Sequence, residues 1–411
     1  MGRNTDLIQH PYQPPAEFEA PQPGVYKAST VFFPNVAAMR QRDWKNKSGY
    51  TYGLHGTPTT FLLEERLCTL EGGLHAVLVP SGLAAIAQAN LALLQAGDHV
   101  LIPANAYGPG KVLAQGELNR FGITHSFYDP LSLPSLEQAI TPATRMVWLE
   151  APGSVTMEFP DLPALVRLAQ SRGLITALDN TWGAGLAFNP FDLVPGEAQT
   201  PLSVDVSVHA LTKYPSGGGD VLMGSVMTRR DDLAQALKLS HMRLGLGVAG
   251  NDAEAILRAL PSIAMRYDRQ DQTARAMVQA LHDHPLVRQV LHPAWPDSPG
   301  HAHWRSLCAP GSMPETAWQQ GRAAGLFSLI LDPSLSSAEV DAFCDGLKLH
   351  RLGYSWGGPM SLVVPYAWGA LRTQRPAHLH DGHLVRFSTG LEDAQDLIDD
   401  LRSGLDALRR P

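Results

Sequence analysis

From Phe61 onward, short apolar runs alternate with stretches of helical period, and that alternation predicts a layered α/β protein. The strand candidates are HAVLVP (75–80), HVLIP (99–103), RMVWLE (145–150), LITALD (174–179), VDVSVH (204–209) and VLMGSVM (221–227). Between them lie helical patterns such as GLAAIAQANLALLQ (82–95) and DLPALVRLAQSR (161–172). The segment FLLEERLCTLEGG predicts an amphipathic helix from Phe61 that ends at Gly72 and Gly73. Strand, helix and strand repeated in this way predict a mostly parallel sheet covered on both faces. A long helical region starts near Asn251, and beyond it a strand (LFSLIL, 326–331) and a helix (SAEVDAFCDGLKL, 337–349) predict a smaller α+β domain. Residues 1–60, rich in Pro, Gly and Tyr and without a long helical period, predict an extended arm that lies on a partner subunit. The expected division is therefore an arm (1–60), an α/β domain (61–255) and a C-terminal α+β domain (256–411).

Composition narrows the function classes. Hydrophobic residues make up 44% and charged ones 17% of the 411-residue chain, as in ordinary globular proteins. A net charge of −7, without a Lys/Arg run, argues against a nucleic-acid binder. No apolar stretch reaches the roughly 20 residues needed to span a bilayer. The polar N-terminus MGRNTDLIQHPYQPP has no apolar h-region, so neither a signal peptide nor a membrane partner is expected. Cys68, Cys308 and Cys344 form no CxxC pair, which points to buried thiols in a reducing cytoplasm. The stretches HAHW (301–304) and HLHDGH (378–383) follow no strong ligand spacing, so no metal is expected.

In open α/β sheets ligands sit beyond the carboxyl ends of the strands, and four of these ends carry unusual residues. HAVLVP runs through Pro80 into Ser81, Gly82 and Leu83 at a helix start, where free N–H groups and the helix dipole suit a phosphate. The same residues also read as an ordinary helix cap. LITALD ends in Asp179, which either caps the next element or pairs with a cation such as a protonated pyridinium nitrogen. VDVSVH leads into Thr212, Lys213 and three glycines, and Lys213 is one of only seven lysines among 32 basic residues. A lysine beside an apolar strand suits a lowered amine pKa and Schiff-base chemistry, against the ordinary surface lysine. Tyr107, on the loop after HVLIP, is placed to stack on a planar ligand. His209 reads either as a neighbour that tunes Lys213 or as a core histidine. Together the four ends supply a phosphate cradle, a ring stack, a ring-nitrogen partner and a Schiff-base lysine at one sheet edge.

These residues fall in the motifs YGLHGTPT (52–59), PSGLAA (80–85), AYGP (106–109), EAPGSVTME (150–158), DNTWGAG (179–185), ALTKYPSGGGD (210–220), YSWGG (354–358) and VRFSTGLED (385–393). With them, the chain resembles the Cys/Met-metabolism group of enzymes dependent on pyridoxal 5'-phosphate (PLP). YSWGG and VRFSTGLED resemble the proteobacterial cystathionine β-lyases in particular. The resemblance implies fold type I, the PLP-dependent transferase-like fold, with a mostly parallel central sheet and a smaller α+β C-terminal domain. It implies that Lys213 carries the cofactor and moves protons, that Asp179 pairs with the pyridinium nitrogen, and that Tyr107 stacks on the ring. Phosphate would be held by Gly82 and Leu83 N–H groups, with Ser81 and the Thr212 hydroxyl beside them. Arg386 would grip the substrate carboxylate, with Ser355 and Trp356 completing the substrate site. Tyr52 would reach a neighbouring subunit's site, which makes a homo-oligomer, in such families usually a tetramer. The implied reaction is β-elimination of an amino-acid thioether such as cystathionine, with a γ-eliminating lyase or γ-replacing synthase as the alternative. An aminotransferase or a non-catalytic binding protein fits less well. A nucleotide-binding oxidoreductase would need GxGxxG directly after a first strand or a P-loop GxxxxGK[ST], and the chain lacks both.

Two departures stand out. Leu54 occupies a position where many relatives carry an arginine that reaches the phosphate across the interface, and Ala210 one where many carry a serine. Looser cofactor binding than in an arginine-bearing relative is expected, unless His55 or another arginine substitutes. Pro359 and Met360 replace the Tyr-Glu common after YSWGG and reshape the expected substrate mouth.

Overall fold

The computed structural model describes residues 2–9, 16–17, 20–44, 47, 49–196, 200–312, 317–372 and 374–408. Two sheets organise the chain. The first contains β1 (His75–Val79), β2 (His99–Pro103), β3 (Thr124–Tyr128), β4 (Thr144–Glu150), β5 (Ile175–Asp179), β6 (Val206–His209) and β7 (Gly224–Thr228). Its order is β1-β7-β6-β5-β4-β2-β3. Only β7 runs antiparallel to its neighbours, so the sheet is mostly parallel. The second contains β8 (Val287–Leu291), β9 (Leu326–Leu331), β10 (Arg351–Leu352), β11 (Leu362–Tyr366) and β12 (His383–Ser388), in the order β10-β11-β12-β9-β8.

All six strands expected around the first sheet form, because their apolar runs are buried on both faces, as in β2 and β7. β3 escaped the sequence reading because THSFY is polar and half exposed, the pattern of an edge strand. The second sheet holds five strands where one was foreseen. The helices Gly250–Ala259 and Ile263–Leu281 lead from the first sheet to the second.

The helix after the arm begins earlier than its apolar pattern, at Pro58, because Thr57 caps it and Pro58 fits its first turn. The arm is not extended throughout. Arg3–Ile8 forms a helix whose Leu7 is 3% exposed, and Arg66 donates a hydrogen bond to the Leu7 carbonyl. Six residues are too few to show a helical period, so only this docking reveals the turn. The parts of the expected arm at 1, 10–15, 18–19, 45–46 and 48 lie outside the described residues. Of the three cysteines, Cys308 and Cys344 are buried, whereas Cys68 is half-buried, a correction to the expectation of three buried thiols. Cys68 lies on the helix Pro58–Glu71, whose buried face is made instead by Leu63, Leu67 and Leu70.

Candidate active site

The parallel register brings the strand ends level. Glu150 at the end of β4 pairs with Asp179 at the end of β5, and Asp179 with Val208 on β6. Beyond them, a cavity is lined by Tyr107, Trp148, Glu150 and Asp179.

Ser81 caps the helix Gly82–Leu93 by accepting the Ala84 N–H at 3.0 Å. The first N–H groups of a helix have no intrahelical acceptor, so those of Gly82 and Leu83 remain to bind a ligand. Only glycine fits at 82, since a Cβ there would come within 2.5 Å of the Ala210 Cβ. Thr212 is nearby, but its hydroxyl is engaged: it donates to the Met223 carbonyl at 3.2 Å and accepts the Met223 N–H at 3.3 Å.

Asp179 follows a buried strand. Its Oδ1 accepts the Thr181 N–H at 3.0 Å and the Thr181 hydroxyl at 2.5 Å. Burial pushes its pKa up, and the Thr181 bonds pull the other way. No ion pair to Asp179 forms among the described residues, which leaves a buried acid awaiting a cationic partner. Glu150 beside it accepts the Tyr107 N–H at 2.8 Å. Burial, and then the charge of Asp179, raise Glu150 well above the usual carboxylate range. Tyr107, 41% exposed, stands at the start of the helix Gly108–Leu113. Its phenol is raised by burial and by the two acids, and so stays neutral.

Lys213 follows β6. Its Nζ donates to Ser355 Oγ at 3.0 Å and lies 5.3 Å from the centroid of the Trp356 ring. Gly357 makes this approach possible: it has φ 78°, and a Cβ there would stand 2.9 Å from the Tyr214 nitrogen. Burial, then the charge of Arg386, lowers the Lys213 amine to about 8, against 10.5 for a free lysine. The free-base fraction therefore rises as pH climbs through about 8. The rate at which the cofactor-free protein takes up PLP is expected to follow a midpoint near that value. A midpoint near 10.5 would show that Lys213 is not desolvated.

Arg386 on β12 is buried, and no carboxylate among the described residues pairs with it. Tyr52, 43% exposed on the arm, has Thr30 and the His55 ring as neighbours rather than the residues above. Leu54 and His55 line a separate pocket with Glu64 and His241. His55 is held by Thr51 at 2.9 Å and stacks on Trp44. Ala210 donates its N–H to Thr181 Oγ1 at 3.0 Å.

The sequence reading missed several supporting residues. Glu150 gave the signal that singled out Asp179, an acid closing an apolar strand. Glu71, fully buried, accepts hydrogen bonds from Asn180 at 3.0 Å and Ser207 at 2.9 Å. It also lies 2.7 Å from His209 Nδ1, so His209 is a core histidine with an acidic partner. The histidine-rich stretches are tied elsewhere: His378 to Glu158, His383 to the Leu335 carbonyl and His301 to the Pro293 carbonyl.

Glu158 anchors the loop that starts at Glu150. It accepts from Asn105 at 2.8 Å and Thr156 at 2.7 Å, lies 2.7 Å from His378 Nε2 and pairs with Arg372. Asn105 belongs to the Tyr107 loop, so this cluster fixes the loop from behind. Burial opposes ionisation of Glu158, but hydrogen bonds from His378 and Arg372 outweigh it and hold the group at about 2. Its contribution to stability is complete above 4.5, the free-glutamate value, and is lost as pH falls toward about 2. Glu158→Gln is expected to cost about 3–5 kcal/mol at pH 7 and to flatten the acid limb in that window, read by urea denaturation. An unchanged acid limb would rule out this assignment.

The profile of the family described as Cys/Met metabolism PLP-dependent enzyme matches residues 4–406. A putative cystathionine beta-lyase from Rhizobium johnstonii is 38% identical over 94% of this chain and 91% of that protein. A cystathionine beta-lyase from Bordetella avium is 36% identical over 97% of this chain and 96% of that protein. The crystal structure of cystathionine gamma-lyase from Lactobacillus plantarum complexed with L-serine superimposes with a TM-score of 0.84 at 26% identity, covering 100% of both chains.

Proposed function

Because the chain belongs to the Cys/Met-metabolism family of PLP-dependent enzymes, we propose that it is a cystathionine β-lyase, cleaving the thioether with water to homocysteine, pyruvate and ammonia. The observation that carries this reading is that Lys213, its Nζ on Ser355 Oγ at 3.0 Å, follows β6, while Asp179, its carboxylate bonded only to Thr181 among the described residues, ends the adjoining strand β5.

The residues present fit PLP. Gly82 and Leu83 offer open amides for its phosphate, with Ser81 at the same turn, and the glycine is sterically required. Asp179 supplies the anion that a pyridinium nitrogen needs, and Tyr107 stands by the same cavity to cover the ring. Thr212 supports the cradle through its bonds to Met223. When bound at Lys213, PLP supplies an electron sink for the charge left at Cα on deprotonation. Arg386 binds the substrate carboxylate and so aims the Cα–H at Lys213. Lys213, steadied by Ser355 and Trp356, takes the Cα proton as its free base. The neutral Tyr107 helps to exclude water.

Tyr52 is assigned to the site of a neighbouring subunit, which makes the active unit a homo-oligomer. The division into an arm (1–60), a PLP-binding domain (61–255) and a C-terminal domain (256–411) carries over as part of this reading. Among the described residues no helix is long and apolar enough to cross a membrane. We place the enzyme in the cytoplasm because three cysteines without a CxxC pair in a long chain suit a reducing compartment.

The test is a pyruvate assay with cystathionine on protein that shows a visible cofactor band. Release of 2-oxobutyrate instead would move the activity to γ-elimination, and a colourless protein that PLP cannot reconstitute would end the reading. Leu54→Arg is expected to tighten PLP by about 1.5–3 kcal/mol, roughly 10- to 100-fold, by adding a charged phosphate contact. An unchanged dissociation constant would show that the arm does not reach the phosphate.

A further inference from the structure

Arg386 is 5% exposed, and its direct cross-strand neighbours, Val364 on β11 and Ser328 on β9, carry no charge. Its Nη2 donates to the Ser355 carbonyl at 3.4 Å, while Nε is buried without a hydrogen-bond partner. A buried guanidinium in that state needs something other than an anion to keep it in place. The ring of Tyr366 fills this role, with its centroid 5.6 Å from the guanidinium carbon. Tyr366 ends β11 two residues beyond Val364, so it shares the face of the sheet on which Arg386 lies. Tyr354 meets the Tyr366 ring edge-on, with centroids 6.4 Å apart and planes at 73°. Tyr354 is itself 79% exposed, which places the pair at the mouth of the site.

We propose that Tyr366 is a substrate-positioning residue, whose ring fixes the Arg386 guanidinium so that its Nε edge is presented to the substrate carboxylate. The inference rests on the reading of the site as one for an amino acid. A ring contact occupies a face of the guanidinium and a carboxylate its edge, so both are satisfied together. With its carbon over the Tyr366 ring and Nη2 on Ser355, the group is oriented before substrate arrives, and little freedom is lost on binding. No sequence pattern marks Tyr366, and its role depends wholly on the β11–β12 register.

The test uses cofactor-loaded enzyme and propionate, a carboxylate with neither amine nor thioether. Binding is read from the absorption of the bound cofactor, with kcat and KM for cystathionine measured beside it. Tyr366→Leu is expected to weaken propionate about tenfold and raise KM about as much, with kcat within about twofold. Tyr366→Phe, which keeps the ring, is expected to restore most of the grip. A merely structural role would lower kcat and the thermal midpoint along with affinity, and would not separate leucine from phenylalanine. Propionate binding as tight in Tyr366→Leu as in the unaltered enzyme would overturn the proposal. So would equal impairment in Tyr366→Phe. If the leucine variant does not fold, Tyr366→Met takes its place under the same criteria. A propionate site lost in both Arg386→Leu and Tyr366→Leu, in an enzyme that releases no pyruvate from cystathionine, would support this inference while ending the thioether reading.

Discussion

Lys213→Ala is expected to abolish the visible cofactor band and to lower kcat/KM by about 10³–10⁴-fold or more, because in the proposed mechanism one amine both anchors PLP and moves the Cα proton. The loss has a local cause. The lysine is held by Ser355 at 3.0 Å and over Trp356, and its lowered pKa leaves free base available near neutral pH. Lys213 lies on a loop rather than within a strand, so the fold should survive and the thermal midpoint change little. An added small amine, which replaces the base but not the tether, is expected to recover part of the rate. A Lys213→Ala protein that stays yellow and active would show that another lysine carries the cofactor.

Asp179→Asn is expected to act in opposite directions with and without cofactor. With PLP bound, removal of the anion opposite a buried cation costs about 3–5 kcal/mol, a loss of a few hundred- to a few thousand-fold in kcat/KM. Without PLP the same change should raise stability by about 1–3 kcal/mol, because a buried carboxylate without a cation is unfavourable. The pH dependence fixes the sign. Burial raises the Asp179 pKa above its free value of 3.8, so the contribution of its neutral form is complete below 3.8 and is lost as pH rises through the folded value. The stability advantage of the Asp179→Asn variant in the cofactor-free protein should therefore grow with pH and vanish in acid. The Thr181 bonds to Oδ1 remain available to an asparagine, so local geometry is kept. If Asp179→Asn destabilised the cofactor-free protein at pH 7, Asp179 would be a structural cap and not a ring-nitrogen partner. A site that is unfavourable until its ligand arrives is a common balance between stability and function.

Much of the architecture was legible along the chain because period and burial are local properties. β2 and β9 form over HVLIP and LFSLIL as expected, since five or six consecutive residues, apolar except for His99 and Ser328, are buried on both faces. β3 and the helix Arg3–Ile8 were not legible: one is a polar edge strand, the other too short for a period. The placement of polar groups at the ends of strands was also legible. Asp179, Lys213 and the turn at Ser81 each interrupt an apolar run with a residue that is costly there unless used.

What the chain alone determined is thus the six apolar strands of the first sheet, its mostly parallel run and the presence of Asp179, Lys213 and the Ser81 turn at strand ends. Which of them meet was settled only by the tertiary structure. Lys213 finds Ser355 across 142 residues, and Arg372 finds Glu158 across 214. Tyr366 reaches Arg386 because two strands pair in one register, which a slip of a single residue would turn to the opposite face. Periodicity records which side of an element is buried, whereas a partner hundreds of residues away is chosen by how the sheets pack, and no local pattern carries that.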